Sequence, residues 1–246
     1  MLASIKHLFI RRRTHCDLSG IEAWARRRGH DFKRVRNEDG FAIDGMLEGK
    51  AWRMEWGLPQ RHYIENRELR FRMELELPGE MQMLLLSRPL MDWLERKTFE
   101  EFTDNVQTQI GTKTPEEMRW LVMYPKVDLA SLKTLRARFG AVASVPAEGL
   151  SWIEGPLANL LVQAAEDWLQ PEQPLVLMAL RGRVYLRMQL VLPEPASVAA
   201  ALALFETAAA QAVRATGLVA HGAVNSTDIV RNTAWQTLVP EAPVKR

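Results

Sequence analysis

Residues 69–78 read LRFRMELELP and residues 184–193 read VYLRMQLVLP. In the first stretch Leu69, Phe71, Met73, Leu75 and Leu77 alternate with Arg70, Arg72, Glu74 and Glu76. That period of two puts apolar side chains on one face of a strand and charges on the other, an arrangement an antiparallel sheet accommodates. Arg72-Met73, Leu75, Leu77 and Pro78 recur 115 residues later as Arg187-Met188, Leu190, Leu192 and Pro193.

Other stretches recur on both sides of this pair. Asp17-Leu18 through Gly29 matches Asp128-Leu129 through Gly140 in the pattern D-L-x-x-[I/L]-x-x-[W/L]-x-x-R-x-G, with Trp24 opposite Leu135 and Arg27 opposite Arg138. Each copy reads as an amphipathic helix with Asp at its N-cap and Gly just past its end. Ile43-Asp44-Gly45 matches Ile153-Glu154-Gly155, and Trp120 and Pro125 match Trp235 and Pro240. The offsets along the chain are 111, 110, 115 and 115, so the matches stay collinear. A repeat of this length predicts an α+β fold of two tandem, internally duplicated lobes, each an antiparallel sheet covered by helices. Their expected relation is a pseudo-twofold, like an isologous dimer joined in one chain. The boundaries are a basic amphipathic segment 1–16, a first repeat 17–127, a second repeat 128–240 and a tail 241–246.

Within the first repeat, strand-like runs are expected at 32–36, 40–47, 51–56, 62–65 and 69–77, with turns at Glu48-Gly49 and Asn66-Arg67. After Pro78 helices follow: a stripe of Leu90, Trp93 and Leu94, then a capping box Thr98/Glu101 opening a helix with Phe102, Val106 and Ile110. Trp120 to Tyr124 returns as a strand. The second repeat closes with an alanine-rich helix, Ala196 to Thr216, stopped by Gly217. Residues 157–168 are ambiguous. Leu157, Leu160, Leu161, Ala164, Ala165 and Trp168 form a helical stripe behind Pro156, whereas the repeat places them opposite the strand 51–56.

The chain of 246 residues is 47% hydrophobic and 25% charged, proportions of a globular protein with a real core. One cysteine, Cys16, makes no intrachain disulfide. The longest apolar runs fall short of the roughly 20 residues of a membrane span, and Lys6 and His7 interrupt the only signal-like start. A cytoplasmic location is therefore expected. Net charge is +2, but residues 1–36 carry +7 and the remainder −5, which hints at an anionic partner. Arg26 to Arg28 are accounted for by the end of a helix. Arg11, Arg12 and Arg13 follow Leu2, Ile5, Leu8 and Phe9, whose spacing makes one apolar helical face. They are the candidate contacts to an anionic partner. Docking of that face on its own domain or a second subunit, the commoner fate of such a stripe, is favoured over a membrane surface, and over nucleic acid because no stacking-aromatic motif accompanies the arginines.

Catalytic motifs are sparse. Neither G-x-G-x-x-G nor G-x-x-x-x-G-K-[S/T] occurs, and the histidines at 7, 15, 30, 62 and 221 lack metal-ligand spacing. Ser151 lies in GLSWIEG without the second glycine of a nucleophile elbow, and Cys16 beside His15 is at most a weak thiolate candidate. Asp39, Asp44, Glu48 and Glu55 surround an expected hairpin with His62 beyond, a set that would do acid and base work only in a cleft. The eight tryptophans read as core anchors and interface plugs. The sequence thus favours a non-catalytic accessory or protein-interaction protein with no cofactor or metal, a protein partner and a capacity to self-associate. A carboxylate/histidine hydrolase with its site between the lobes, or a peripheral anionic-surface binder, are the alternatives.

Overall fold

The two alternating stretches form strands β4 (Glu68–Glu74) and β8 (Arg183–Gln189) and lie side by side. Their antiparallel register pairs Leu69 with Met188, Phe71 with Leu186 and Met73 with Val184. The structure, a computed structural model, describes residues 16–35, 39–104 and 116–222. Around the central pair the sheet extends through β3 (Lys50–Gly57), β2 (Phe41–Leu47) and β1 (Asp31–Arg34) on one side. On the other it extends through β7 (Leu175–Leu180), β5 (Met83–Ser87) and β6 (Phe139–Ala143). The result is one eight-stranded antiparallel sheet in the order β1-β2-β3-β4-β8-β7-β5-β6. Two tight hairpins set register, β2–β3 through Glu48-Gly49 and β7–β8 through Arg181-Gly182. All four turn residues have positive φ, as a two-residue type I′ loop requires.

Helices cover the two faces unequally. One face carries Phe41, Ile43, Trp52, Met54, Phe71, Leu177 and Leu186 in the large core cluster. Packed on it are α1 (Ser19–Arg27), α5 (Pro146–Ile153), α6 (Pro156–Asp167) and α7 (Pro195–Gly222). On the opposite face α2 (Arg88–Asp104) and α3 (Glu116–Met123) cover only the β5–β6–β7 end, where Leu84, Leu86, Val142, Val176 and Met178 are buried. A short α4 (Lys133–Arg138) leads into β6 and buries Leu135. The fold is α+β.

In place of one sheet per lobe there is a single sheet, and β5 lies between β6 and β7 although it precedes residue 128 in the chain. Several local expectations are corrected. Residues 62–65 belong to the loop between β3 and β4, and Trp120 to Met123 are helical in α3. Met83 to Ser87, placed in a helical region by the sequence reading, form a fully buried strand. The ambiguous stretch is helix α6, opened by Gly155 at φ 77 and Pro156 in its first turn. Ile43 to Gly45 are in β2, while their match Ile153 to Gly155 ends α5. No new helix starts at Thr98, because α2 runs on and Thr98 Oγ1 donates to the Leu94 carbonyl at 2.7 Å. Asp17 and Asp128 cap no helix. Each accepts instead from the amide two residues on at 2.9 Å, an Asx turn in both copies. Gly29, at φ 73, is a true helix stop, but Gly140 lies within β6, where a Cβ would run into Met91 and Arg88 of α2. Gly217 does not end α7, which continues to Gly222. Val106, Ile110, Trp235 and Pro240 lie outside the described residues.

Candidate functional site

Two of the carboxylates singled out by sequence, Asp44 and Glu55, are brought onto the open face of the β1–β4 half-sheet, where each meets a cation. Asp44 accepts from Arg53 Nη1 at 3.0 Å and lies 3.3 Å from Lys33 Nζ. Glu55 accepts from Arg53 Nε at 2.8 Å and from Arg70 Nη2 at 3.0 Å. Burial alone would raise the Glu55 pKa, but the two guanidinium partners outweigh it and hold it below the ordinary glutamate value. Asp39 faces Arg67 across 3.8 Å, and Glu48 is an exposed turn residue. His62 is exposed, with its ring against Tyr63 and Trp93.

At one end of this ladder lies a buried polar cluster that the sequence reading missed. Glu68 of β4 is fully buried and accepts from Arg187 Nη1 at 2.6 Å and from the Gln60 amide at 2.6 Å. Glu117 of α3, also fully buried, accepts from Tyr63 Oη at 2.9 Å and Arg61 Nε at 3.1 Å, while its Oε2 has no hydrogen-bond partner. Burial first, and then the Glu117 charge, push the Tyr63 phenol far above its ordinary pKa, so it stays a neutral donor. These contacts tie the β3–β4 loop and α3 to the sheet. Glu117 has no motif around it; its only sequence signal is a carboxylate directly before the apolar Met118 and Trp120.

The remaining candidates are scattered. Arg11, Arg12, Arg13, His7 and His15 lie outside the described residues, and His221 is in the last turn of α7. Cys16 is a half-buried free thiol, its pKa raised by burial and by nearby Asp39. His30 is half-buried between Trp24 and Trp52, and burial lowers its pKa. Among the described residues no group of three or more His, Cys, Asp or Glu side chains is placed to hold a metal.

A concave surface is found on the helical layer instead. Helix α7 turns Val198, Ala201, Leu202 and Phe205 onto the sheet. Its flanking row of Ala196, Ala200 and Ala203 faces Leu160, Ala164 and Trp168 of the α6 region. Small side chains on one wall and a 4-residue stripe on the other leave a groove of about 470 Å³, its lining completed by Leu204, Ser197, Gln163 and Asp167. Glu166, exposed, stands next to Asp167. Arg138 fixes the end of α6 by donating to the carbonyls of Ala165 at 2.9 Å and Leu169 at 2.8 Å. By length and composition Pro195–Thr216 is apolar enough to cross a bilayer, but half of its most apolar window is buried inside the protein.

No family model matches the chain, and no curated protein matches it. Among solved structures it is similar to the crystal structure of the mycobacterial trehalose monomycolate transport factor A, TtfA. The identity is 8% and the TM-score 0.45, over 78% of this chain and 92% of that one. At that distance the likeness assigns neither a family nor a function.

Proposed function

We propose that the protein is a non-catalytic, cytoplasmic protein-interaction module that receives an amphipathic helix in the groove between α6 and α7. The observation that carries this reading is the groove itself, an apolar floor between two helices with Asp167 on its lining. Helix-in-groove recognition uses such a floor for apolar side chains at a 3/4 spacing, and the Asp167 carboxylate favours a partner with Lys or Arg beside its stripe. The ion pairs that take up Asp44 and Glu55 support a structural role for the sheet face rather than acid/base work. The single free thiol is in keeping with a reducing compartment. A photo-crosslinking residue in place of Ala200 should trap, in cells, a partner peptide with an apolar 3/4 stripe and a basic flank. The same probe in place of Met46, which is 61% exposed on β2 of the open face, should not. Equal trapping at both positions, or none at Ala200, would sink the reading.

We infer further that the sheet descends from a duplication centred on β4 and β8. The sequence offset of 115 carries Phe71 onto Leu186, and Phe71 and Leu186 are themselves Cα partners in the antiparallel register. A local twofold between those two residues accounts for both facts. Because β5 is held between β6 and β7, residues 1–127 and 128–246 produced separately should each fail to give a cooperative unfolding transition, and should recover one when mixed. A half that folds alone would favour two independent lobes.

A further inference from the structure

We propose that the groove between α6 and α7 is occupied by this chain's own N-terminal segment, with Leu2, Ile5, Leu8 and Phe9 on its floor. This rests on the reading that the groove receives an amphipathic helix, and it names the first such helix available. Three observations point to that occupant.

The first is chemistry. Leu2, Ile5, Leu8 and Phe9 form one helical stripe, and Lys6, His7 and Arg11 to Arg13 flank it. That is the complement of a floor made of Leu160, Ala164, Trp168, Ala200 and Leu204 with the Asp167 carboxylate at the side. The small side chains of Ala196, Ala200 and Ala203 permit a close approach.

The second is place. A Cβ on Gly20, near the start of α1, would be in van der Waals contact at 3.5 Å with Pro195, the first residue of α7, and Ala196 is the next residue and lines the groove. Gly20, four residues into the described chain, thus lies beside one end of the groove. Residues 10–15 supply six residues of connection, up to about 20 Å when extended. The other unassigned stretch, beyond Gly222, leaves α7 about 27 Å past Leu204 at 1.5 Å per residue.

The third is length. Leu2 to Phe9 spans about 10 Å as a helix, and Ala196 to Leu204 about 12 Å. Bound there, the segment shields the apolar floor and competes with any partner helix, so a partner's apparent affinity is reduced by the fraction of molecules whose groove is open.

The test uses the full chain with Cys16→Ser, so that the only thiols are a pair placed beside the stripe and on the groove wall, Ser4→Cys with Gln163→Cys. Diamide oxidises the two thiols to a disulfide and is itself reduced to the hydrazine. The expected product is an intrachain bond, read by peptide mapping and by faster migration of the unreduced monomer. Ser4→Cys with Met46→Cys should give none. An interchain bond at Gln163 would mean that a second copy fills the groove and would overturn the proposal, as would bonding at both positions or at neither. A second measurement separates this from the partner reading: Leu8→Asp with Phe9→Asp should raise partner trapping at position 200 by about tenfold where about a tenth of molecules are open. Partner trapping unchanged by that substitution, with no intrachain bond, would leave the groove a docking site and remove its internal occupant. No trapping and no bond would remove both.

Discussion

Strand β7 reads LVLMAL and is buried at every position, whereas β4, two places away in the same sheet, reads ELRFRME and alternates between buried core and open face from Leu69 onward. The backbone geometry is the same. What differs is the second layer: α2 and α3 lie over β5, β6 and β7, and among the described residues no helix covers the matching face of β2, β3 and β4. A strand covered on both sides has no wet positions to mark its period, so its sequence is a plain apolar run. A strand covered on one side displays its period in charges. In this protein those charges also pair across strands, from Asp44 through Arg53, Glu55 and Arg70 to Glu68 and Arg187.

The largest effect should come from placing a charge in the doubly covered half. Met178, 4% exposed on β7, packs beneath α2 with Leu84 and Val176. Met178→Lys should lower stability by about 4 kcal/mol or more, since the ammonium has no partner there. Met46→Lys on the open half should stay within about 0.5 kcal/mol. Urea titrations of both variants measure the contrast, and similar midpoints would mean that α2 and α3 do not seal that face.

A smaller effect is expected at the seam between the halves. Glu117→Ala removes the acceptor of Arg61 and Tyr63, leaving a guanidinium and a buried phenol unpaired. The loss should be about 3 kcal/mol, with hydrogen exchange rising first in α3 and the β3–β4 loop. Should α3 keep its protection, the Glu117 contacts would not be what anchors it.

The same contrast explains what the sequence disclosed. The β4 and β8 strands, the β2–β3 hairpin and α7 were legible because alternation, an X-Gly turn and an alanine-rich run each report a local structure. Strand β5 was not: Met83 to Leu86 is too short to show a helical period and has no polar positions to show a strand one. Trp120 to Tyr124 reads equally well as strand, and with Met118 and Trp120 packed in the core its first four residues are helix. The stripe Leu160, Ala164 and Trp168 was visible, but a groove needs a second wall. Nothing in residues 157–168 announces that Ala196, Ala200 and Ala203 stand opposite. The Glu117 cluster joins residues more than 50 positions apart, beyond any local pattern.

The smallest effect is expected on the open ladder itself, and pH identifies it. Arg53 holds both Asp44 and Glu55 with about a third of each side chain exposed, so Arg53→Met should cost no more than about 1 kcal/mol at neutral pH. Because the folded pKa of Glu55 is lowered from 4.5, the fold holds this proton less tightly than the unfolded chain does. The stabilisation is therefore complete above the unfolded value and is lost as pH falls through the folded one. Wild type and Arg53→Met should accordingly differ at pH 7 and converge once Glu55 is protonated. Added salt should narrow the neutral-pH gap in the same way, since exposed pairs are screened. A gap that persists in acid and in salt would show that Arg53 contributes through the packing of its aliphatic stem over the strands, and the ladder would then be a packed surface rather than an electrostatic one.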